Sequence, residues 1–312
     1  MRRRGGRPDP GRVQMHPDQL TVTVAAVRQL IAEQFPAWAG APVRPVASHG
    51  TVNAIFRIGE DLAARFPLQG TDPEATLRWL EGEAAAAARL AGRTPFPTPV
   101  PVALGRPGAG YPFPWSVQTW LPGVVATDAD PGASERFAAD LALFIRSVRA
   151  VDTQGRTFSG TGRGGVLLFE DDWVQTCLDR STDLLDVPRL RSLWAELRQL
   201  PRGPDPDVTN HGDLVPGNVL VAGGRLAGVL DVGGSAPADP ALDLVGAWHL
   251  LEAGPRRVLR DRLGPDDAEW ARGRAWAFAQ AIGLVWYYAD SNPVMSALGR
   301  RTLARLTEPD RP

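Results

Sequence analysis

The segment at residues 209–221, TNHGDLVPGNVLV, constrains the fold of this chain more than any other. Within it, Asp213 and Asn218 lie five residues apart on a turn that Gly and Pro interrupt. A second apolar run at residues 226–230 follows and ends in Asp231. Apolar runs bounded by such turns are typical of β-strands, so the pattern predicts a strand, a turn and a second strand. This layout places three oxygen-bearing side chains at one edge of a small sheet.

The three side chains match the groups that phosphoryl transfer needs. Asp213 would take the proton of an acceptor hydroxyl, while Asn218 and Asp231 would hold magnesium. The kinase catalytic loop has the same pattern, an Asp with an Asn five residues later and an Asp-x-Gly downstream. An ordinary hairpin with polar turn formers would explain any one of these residues. It does not explain their combination with a His-Gly pair before Asp213 and apolar runs on both sides.

These motifs also resemble those of a known family. The sequences HGDLVPGN at 211–218, LDVG at 230–233 and DPALD at 239–243 resemble the aminoglycoside phosphotransferase family of small-molecule antibiotic kinases. The resemblance implies an α+β, protein-kinase-like fold with two lobes. The N-terminal lobe would be an antiparallel sheet with one packed helix, and the larger C-terminal lobe would be mainly helical. The resemblance extends over residues 20–306.

Length and apolar content suit two lobes around one cleft, because 312 residues with 44% apolar side chains can form a large core. We expect an N-lobe at residues 17–123, with the nucleotide-binding sheet and a hinge, and a C-lobe at residues 124–312, with the catalytic loop and the substrate-binding helices. The Arg-rich residues 1–16 are expected to be a disordered tail. Whether residues 1–14 are translated stays open, since Met15 is a plausible start.

Charge and composition exclude several classes of partner. The formal net charge is −1 and no recognition motif is present, which argues against nucleic acid. No apolar run approaches the ~20 residues of a membrane span. The single cysteine, Cys177, cannot form an intramolecular disulfide and indicates a reducing cytoplasm. A monomer and a homodimer are both compatible with the sequence.

Periodicity predicts the elements of both lobes. For the N-lobe it predicts helices at 20–35 and 73–93 and strands at 43–47, 54–58, 62–66, 100–104 and 115–120. For the C-lobe it predicts helices at 134–151, 170–185, 187–200, 239–251 and 267–288, and a final helix after residue 293. The GTGRGG sequence at 160–165 is interpreted as a flexible loop, because it lacks the Lys and the flanking strand and helix of a phosphate loop.

The turn between the first two strands is a candidate phosphate cover. It contains Ser48, Gly50 and Thr51, and kinases fold backbone amides over the nucleotide phosphates at such a turn. One Gly in a turn is by itself a weak signal. Its position one hairpin before Arg65 strengthens it.

Arg65 is the candidate anchor for the nucleotide phosphates. The resemblance implies a strand-three cation here, which in kinases is usually Lys, but this chain has no lysine. Arg keeps the charge and adds a planar fork that binds phosphate oxygens in pairs. The resemblance makes Glu83 its pairing carboxylate, with Glu74 and Glu81 as alternatives. A surface Arg at a strand end is the competing interpretation.

The predicted hinge contains Trp120, Leu121 and Gly123. In kinase-like folds the adenine bonds to hinge backbone, so these side chains do not distinguish ATP from GTP. An ordinary inter-domain linker is compatible with the same sequence.

Two residues are expected to support the catalytic loop. His211 would hold the loop through hydrogen bonds, since Asp213 already serves as the base. Asp243 resembles a family position that braces this loop, although a solvent-facing acid is an alternative. The chain departs from the family at three positions near the cleft, which puts its acceptor preference in doubt: Val215, Val232 and Gly234.

The sequence therefore predicts an ATP- or GTP-dependent O-phosphotransferase that uses Mg²⁺ and modifies a small-molecule hydroxyl, on an aminoglycoside-like or other antibiotic. A metabolic kinase for a sugar or amino alcohol is the alternative, and a nucleotide-binding pseudokinase or a protein kinase is less favoured. Residues 124–312 hold 26 acids against 21 Arg, and residues 17–123 hold 8 of each. This field would attract a cationic acceptor. The excess is small, however, and a solvated acidic surface is the favoured explanation, so a neutral macrolide, a nucleoside antibiotic or a metabolite alcohol stays open.

Overall fold

The computed structural model describes residues 19–47, 50, 52–70 and 72–308. The predicted tail at residues 1–16 lies outside the described residues and stays a prediction. Within the described ranges, none of the helices combines the length and the apolar character that a membrane crossing requires.

Five antiparallel strands form the N-terminal sheet: β1 (Val43–Pro45), β2 (Asn53–Ile58), β3 (Leu62–Pro67), β4 (Pro101–Gly105) and β5 (Trp115–Thr119). They lie in the order β1-β2-β3-β5-β4. In β2 the side chains of Ala54, Phe56 and Ile58 are buried, and the residues between them are only partly buried, which is the period of two that a strand imposes. Helix α1 (Val24–Gln34) buries Leu30 and Ile31 in the same apolar core as this face.

The second helix, α2 (Pro73–Leu90), packs against β4 and β5. Asp72 caps its start by accepting hydrogen bonds from the amides of Glu74 and Ala75, and Pro73 occupies the first turn, where its missing amide costs nothing. The alanines after Glu83 keep the side chains small and favour the helix. The predicted antiparallel sheet with one packed helix is confirmed.

The rest of the chain is mainly helical. Its described α-helices are α3 (Glu135–Arg149), α4 (Asp171–Arg180), α5 (Val187–Leu197), α6 (Gly246–Leu250), α7 (Ala253–Leu263), α8 (Asp267–Tyr287) and α9 (Pro293–Thr307). Helix α8 is apolar on nearly all sides and packs against α4, α5 and α9, as expected of a core helix.

Two short sheets lie among these helices. One contains β6 (Val124–Val125), β8 (Val219–Ala222) and β9 (Arg225–Val229) in the order β6-β8-β9, and the other pairs β7 (Val208–Asn210) with β10 (Ala236–Ala238). Because β6 follows the candidate hinge and pairs with β8, the hinge connects the five-stranded sheet directly to the catalytic hairpin. The lobe boundary at residues 123 and 124 stays a prediction.

The structure corrects several predicted helices. The helix predicted at 239–251 is a 3-10 helix (Pro240–Val245) followed by the short α6. The Asp239 carboxylate caps the first turn of the 3-10 helix by accepting a hydrogen bond from the Ala241 amide. Helix α7 was not predicted, because its AGPRRVLRDRL sequence has few apolar residues; the Arg256 stem completes its buried face.

Helix ends also differ from the prediction. Helix α1 begins at Val24 rather than at residue 20, because the Thr23 side chain caps it by accepting a hydrogen bond from the Ala26 amide. Helix α4 ends at Arg180, five residues before the predicted end.

Candidate active site

The three predicted catalytic and metal-binding side chains meet at the end of the β8-β9 hairpin. Asp213 lies in the loop between β7 and β8, and Asn218 ends a 3-10 helix immediately before β8. The amide of Leu230, which directly follows β9, donates to the Asn218 carbonyl at 2.7 Å. Asp231, the next residue, therefore stands beside Asn218. The local hairpin register is what brings these groups together.

Both carboxylate oxygens of Asp213 accept hydrogen bonds. Asn218 Nδ2 donates to Oδ2 at 3.0 Å, and Arg163 Nη1 donates to Oδ1 at 2.8 Å. Asn218 Nδ2 also donates to the Asp213 main-chain carbonyl at 2.9 Å. The Asp213 side chain is 44% exposed. The carboxylate is thus held in one orientation and stays reachable from the cleft.

A buried carboxylate holds the turn before Asp213. Asp243 is fully buried and accepts hydrogen bonds from the amides of His211 and Gly212, each at 2.8 Å. Burial raises the pKa of Asp243, while His211 and the two amide bonds oppose the rise. The alternative of a solvent-facing Asp243 is therefore wrong. Gly212 has φ +85°, a conformation that glycine adopts without strain.

The His211 ring links the loop that holds Asp213 to the residue that follows β9. Its Nε2 lies 2.8 Å from the Leu230 carbonyl, and its Nδ1 accepts a hydrogen bond from the Asp213 amide at 3.2 Å. These partners fit the tautomer with the proton on Nε2. Both ring nitrogens are engaged, so the ring has the position of a support.

Arg65 connects the five-stranded sheet to this hairpin. From β3, its Nη1 lies 3.2 Å from Glu83 Oε2 and its Nη2 lies 2.6 Å from Asp231 Oδ1. The Arg65 side chain is 11% exposed, which argues against a simple surface residue. Of the three acids considered from the sequence, the structure joins Glu83 to Arg65, rather than Glu74 or Glu81.

The approach of α2 to the Asp231 turn depends on a glycine. A Cβ on Gly233 would lie 2.8 Å from the Glu83 Cβ, so a larger residue would push the two elements apart. Burial raises the pKa of Glu83, and Arg65 opposes this effect. Asp231 itself has φ 56° and ψ 37°, which is uncommon for a residue other than glycine. Such conformations cluster at functional sites.

An apolar cavity of about 220 Å³ adjoins the Arg65 and Glu83 pair. It lies between α2 and the strands β4 and β5, with Leu80 and Val117 among its lining side chains, and Gly233 at its border. The cavity therefore lies on the side of the predicted metal site that faces the five-stranded sheet and α2.

The predicted hinge leads from β5 to β6. The Trp120 amide donates to the Asp61 carbonyl at 2.7 Å, and the Arg57 guanidinium lies 4.9 Å from the center of the Trp120 ring. Gly123 has φ +140°, and Leu121 lies close to Gly228 of β9. The hinge is thus fixed against both sheets.

The predicted phosphate cover is only partly described. Ser48 and Thr51 lie outside the described residues, and their role stays a prediction. Gly50 lies exposed between β1 and β2, at the place in the sheet where the sequence predicted the turn.

Three residues near the catalytic loop were missed from the sequence. Arg163 comes from the GTGRGG loop, which was interpreted as a flexible loop, and its Nη1 donates to Asp213 Oδ1. Gln280 of α8 donates from Nε2 to the Gly212 carbonyl at 3.5 Å, and its Oε1 lies 3.2 Å from His249 Nε2. No local motif marks these residues, because each reaches the loop from a distant segment.

His249 makes the stability of the fold depend on pH. Burial lowers its pKa to about 4 from the ordinary value of 6.5. Between these values the unfolded chain binds a proton that the folded chain does not, so stability falls as the pH decreases from about 6.5 to about 4, by on the order of 3 kcal/mol. The variant His249→Gln lacks this titration.

Denaturant titrations of the wild type and His249→Gln at pH 7, 6 and 5 would measure this effect. We expect the variant to be less stable at pH 7 and the difference to shrink as the pH falls. A difference in unfolding free energy that is independent of pH would contradict the burial of a neutral His249.

Comparison with known proteins identifies the family of this site. The profile of the phosphotransferase enzyme family, APH, matches residues 43–276. An aminoglycoside 3'-phosphotransferase from Escherichia coli is 43% identical over 61 residues, which is 19% of this chain and 22% of that protein. That match therefore spans about a fifth of the relative's length.

Solved structures share the fold over nearly the whole chain. The GDP complex of wild-type aminoglycoside 2'-phosphotransferase-IIIa has a TM-score of 0.68 at 21% identity and covers 90% of this chain and 98% of that chain. Macrolide 2'-phosphotransferase MphH from Brachybacterium faecium has a TM-score of 0.61 at 19% identity, covering 93% and 100%. These likenesses confirm the predicted kinase-like fold. Because the family profile spans most of the chain and includes the whole catalytic hairpin, this protein belongs to the phosphotransferase enzyme family, APH.

Proposed function

We propose that this protein transfers the γ-phosphoryl group of ATP or GTP to a hydroxyl of a small molecule, with an antibiotic as the favoured acceptor class. The observation that carries this proposal is the joint placement of Asp213, Asn218 and Asp231 at one hairpin end, beside Arg65. Relatives named as aminoglycoside and macrolide phosphotransferases support the chemistry. A pseudokinase would not need this intact set of groups.

The reaction assigns one role to each group. The acceptor oxygen forms a bond to the γ-phosphorus as the bond to the β-γ bridging oxygen breaks, and the nucleoside diphosphate leaves. Asp213 orients the hydroxyl and accepts its proton. Arg65, held by Glu83, would bind oxygens of the α and β phosphates with its planar fork.

The donor atoms present fit a magnesium ion. Asn218 turns its Nδ2 toward Asp213, which leaves Asn218 Oδ1 and Asp231 Oδ2 with no hydrogen-bond donor among the described residues. No cluster of three or more His, Cys, Asp and Glu side chains forms a metal site in the described ranges. Mg²⁺ bound to a nucleotide usually takes one or two protein oxygens, with phosphate and water completing the shell. When bound, it would neutralise developing phosphate charge.

Two acceptor classes have support in the structure. The acidic balance of residues 124–312 favours a cation. An apolar acceptor is favoured by the exposed aromatic side chains of Phe169, Trp173 and Tyr287. Trp173 packs on Gly283, about one helical turn beyond Gln280, whose amide contacts the catalytic loop. An uncharged acceptor with a large apolar body would thus find the exposed Trp173 next to the part of α8 that contacts the catalytic loop.

An acceptor panel tests the proposed function. The wild type would be incubated with MgATP or MgGTP and separate aminoglycosides, macrolides, nucleoside antibiotics, sugars and amino alcohols, and each product analysed by mass spectrometry. We expect at least one acceptor to gain one phosphate group. Phosphorylation of a sugar or amino alcohol alone would favour a metabolic kinase. Nucleotide binding without any turnover would favour a pseudokinase.

Replacement of Arg65 is expected to weaken nucleotide binding. Arg65→Ala should raise the nucleotide Kd by roughly 10- to 100-fold, since a charge-assisted hydrogen bond contributes about 1.5 to 3 kcal/mol. Arg65→Lys should recover only part of this loss, because an ammonium lacks the fork. Calorimetric titration would measure each Kd, with the exposed Arg44→Ala of β1 as the control.

A double-mutant cycle tests the pairing with Glu83. Glu83→Gln should weaken nucleotide binding less than Arg65→Ala does, and the double variant should lose less than the sum, because the two side chains act together. Strict additivity would separate Glu83 from the role of Arg65. Wild-type affinity in Arg65→Ala would remove Arg65 from the nucleotide site.

A further inference from the structure

The GTGRGG loop is fixed against the sheet that leads to the catalytic loop. Gly164 has φ +94°, and a Cβ there would lie 2.5 Å from the Ala238 Cβ of β10. The Gly164 carbonyl accepts hydrogen bonds from the Asp239 amide at 3.1 Å and from Arg202 Nε at 3.5 Å. Because β10 pairs with β7, which continues into the catalytic loop, the position of Arg163 is tied to that of Asp213.

Arg163 binds the oxygen of Asp213 that an acceptor hydroxyl would use. Its Nη1 lies 2.8 Å from Asp213 Oδ1, while Asn218 occupies Oδ2. The two side chains of this ion pair are 47% and 44% exposed, so the pair faces the open cleft. Exposed ion pairs stabilise a fold only slightly. Arg163 can therefore leave Asp213 at little cost when an acceptor hydroxyl arrives.

The negative charge on the transferred phosphoryl group calls for a cationic side chain near the acceptor. The phosphoryl group carries negative charge on its three equatorial oxygens while the acceptor and leaving oxygens lie in line. Arg65 stands on the nucleotide side, held by Glu83 and Asp231. Arg163 is the cationic side chain that contacts Asp213 within the described ranges. The two arginines thus pair with different carboxylates of the site, Arg65 with Asp231 and Arg163 with Asp213.

We propose that Arg163 is a further catalytic residue, which moves from Asp213 to the γ-phosphoryl oxygens once the acceptor hydroxyl binds the base. This inference rests on the proposed phosphotransferase function. The bonds that form and break are those of the proposed phosphoryl transfer. The hydroxyl proton passes to Asp213, and Arg163 stays protonated and only donates hydrogen bonds. A donor that meets the phosphoryl oxygens as their charge develops lowers the barrier more than it strengthens substrate binding.

Hydrolysis of MgATP or MgGTP with water as the acceptor tests this role, because it involves the same phosphoryl group and needs no identified acceptor. We expect Arg163→Ala to lower the kcat of hydrolysis about 10- to 100-fold, with the nucleotide KM changed less than about threefold. Arg163→Lys should recover part of kcat and Arg163→Gln should not. The exposed Arg156→Ala is the matched control and should hydrolyse nucleotide like the wild type.

Several results would overturn the inference. An unchanged kcat in Arg163→Ala would exclude a catalytic role. A higher kcat would mean that Arg163 only blocks the base. A raised nucleotide KM with a normal kcat would assign Arg163 to nucleotide binding. If Arg163→Ala does not fold, the Lys and Gln variants decide, since both keep the long side chain. If the wild type turns over nucleotide and every Arg163 variant does so at the same rate, only this inference is refuted. A wild type that turns over no nucleotide, with or without acceptors, refutes the proposed function as well.

Discussion

Replacement of Asp213 by Ala is expected to reduce phosphate transfer by about 10²- to 10⁴-fold, the range for a positioned acid or base, with nucleotide affinity close to that of the wild type. Among the described residues, the Asp213 side chain hydrogen-bonds to Asn218 and Arg163, whereas Arg65, the proposed phosphate anchor, pairs with Glu83 and Asp231. The loss should therefore appear in kcat. Steady-state transfer kinetics and a separate nucleotide titration would measure both quantities.

An exposed acid provides the control for this variant. Asp205→Ala also removes one carboxylate from the same part of the chain, and it should leave transfer unchanged. Turnover near the wild-type value in Asp213→Ala would remove Asp213 from the mechanism. A large loss of nucleotide affinity in that variant would instead assign Asp213 to binding.

The Asp231→Asn variant is expected to abolish transfer and to raise the magnesium concentration needed for nucleotide binding. The substitution keeps the size of the side chain but removes one full charge from a site that must hold a divalent cation. Magnesium titration of nucleotide affinity would show this as a shift to higher concentration. Asp205→Asn should show no shift.

Asp231 also binds Arg65 at 2.6 Å. Asp231→Asn can therefore change nucleotide affinity through magnesium or through Arg65, and the two effects must be measured separately. Nucleotide affinity measured in EDTA depends on Arg65 but not on magnesium. We expect Asp231→Asn to alter the EDTA value much less than the value with magnesium. An unchanged magnesium dependence would show that Asp231 is not a metal ligand.

The parts of the site that could be predicted from the sequence are those set by local geometry. Asn218 and Asp231 flank the β8-β9 hairpin and Asp213 lies in the loop just before it, so the strand and turn pattern places all three at one end of the hairpin. Arg65 and Glu83 were assigned through the family resemblance, and the packing of α2 on the sheet brings them within 3.2 Å. Glycine at position 233 makes that approach possible.

The parts that could not be predicted depend on long-range packing. The Arg163 contact to Asp213 joins residues 50 positions apart, and the Gln280 contact to Gly212 joins residues 68 positions apart. Neither has a periodic or spacing signal in the sequence. Arg163 was passed over because its loop was judged only as a phosphate-loop motif, whereas its position follows from how Gly164 packs on β10.

The most direct test of the central claim is the stoichiometry of transfer with the acceptor that the panel identifies. One reaction would be followed by the amount of nucleoside diphosphate released and the amount of phosphorylated acceptor formed, for the wild type and for Asp213→Ala. We expect equal amounts of the two products in the wild type and almost none of either in the variant. Phosphorylated acceptor formed at the wild-type rate by Asp213→Ala, or no phosphorylated product from any acceptor with the wild type, would contradict it.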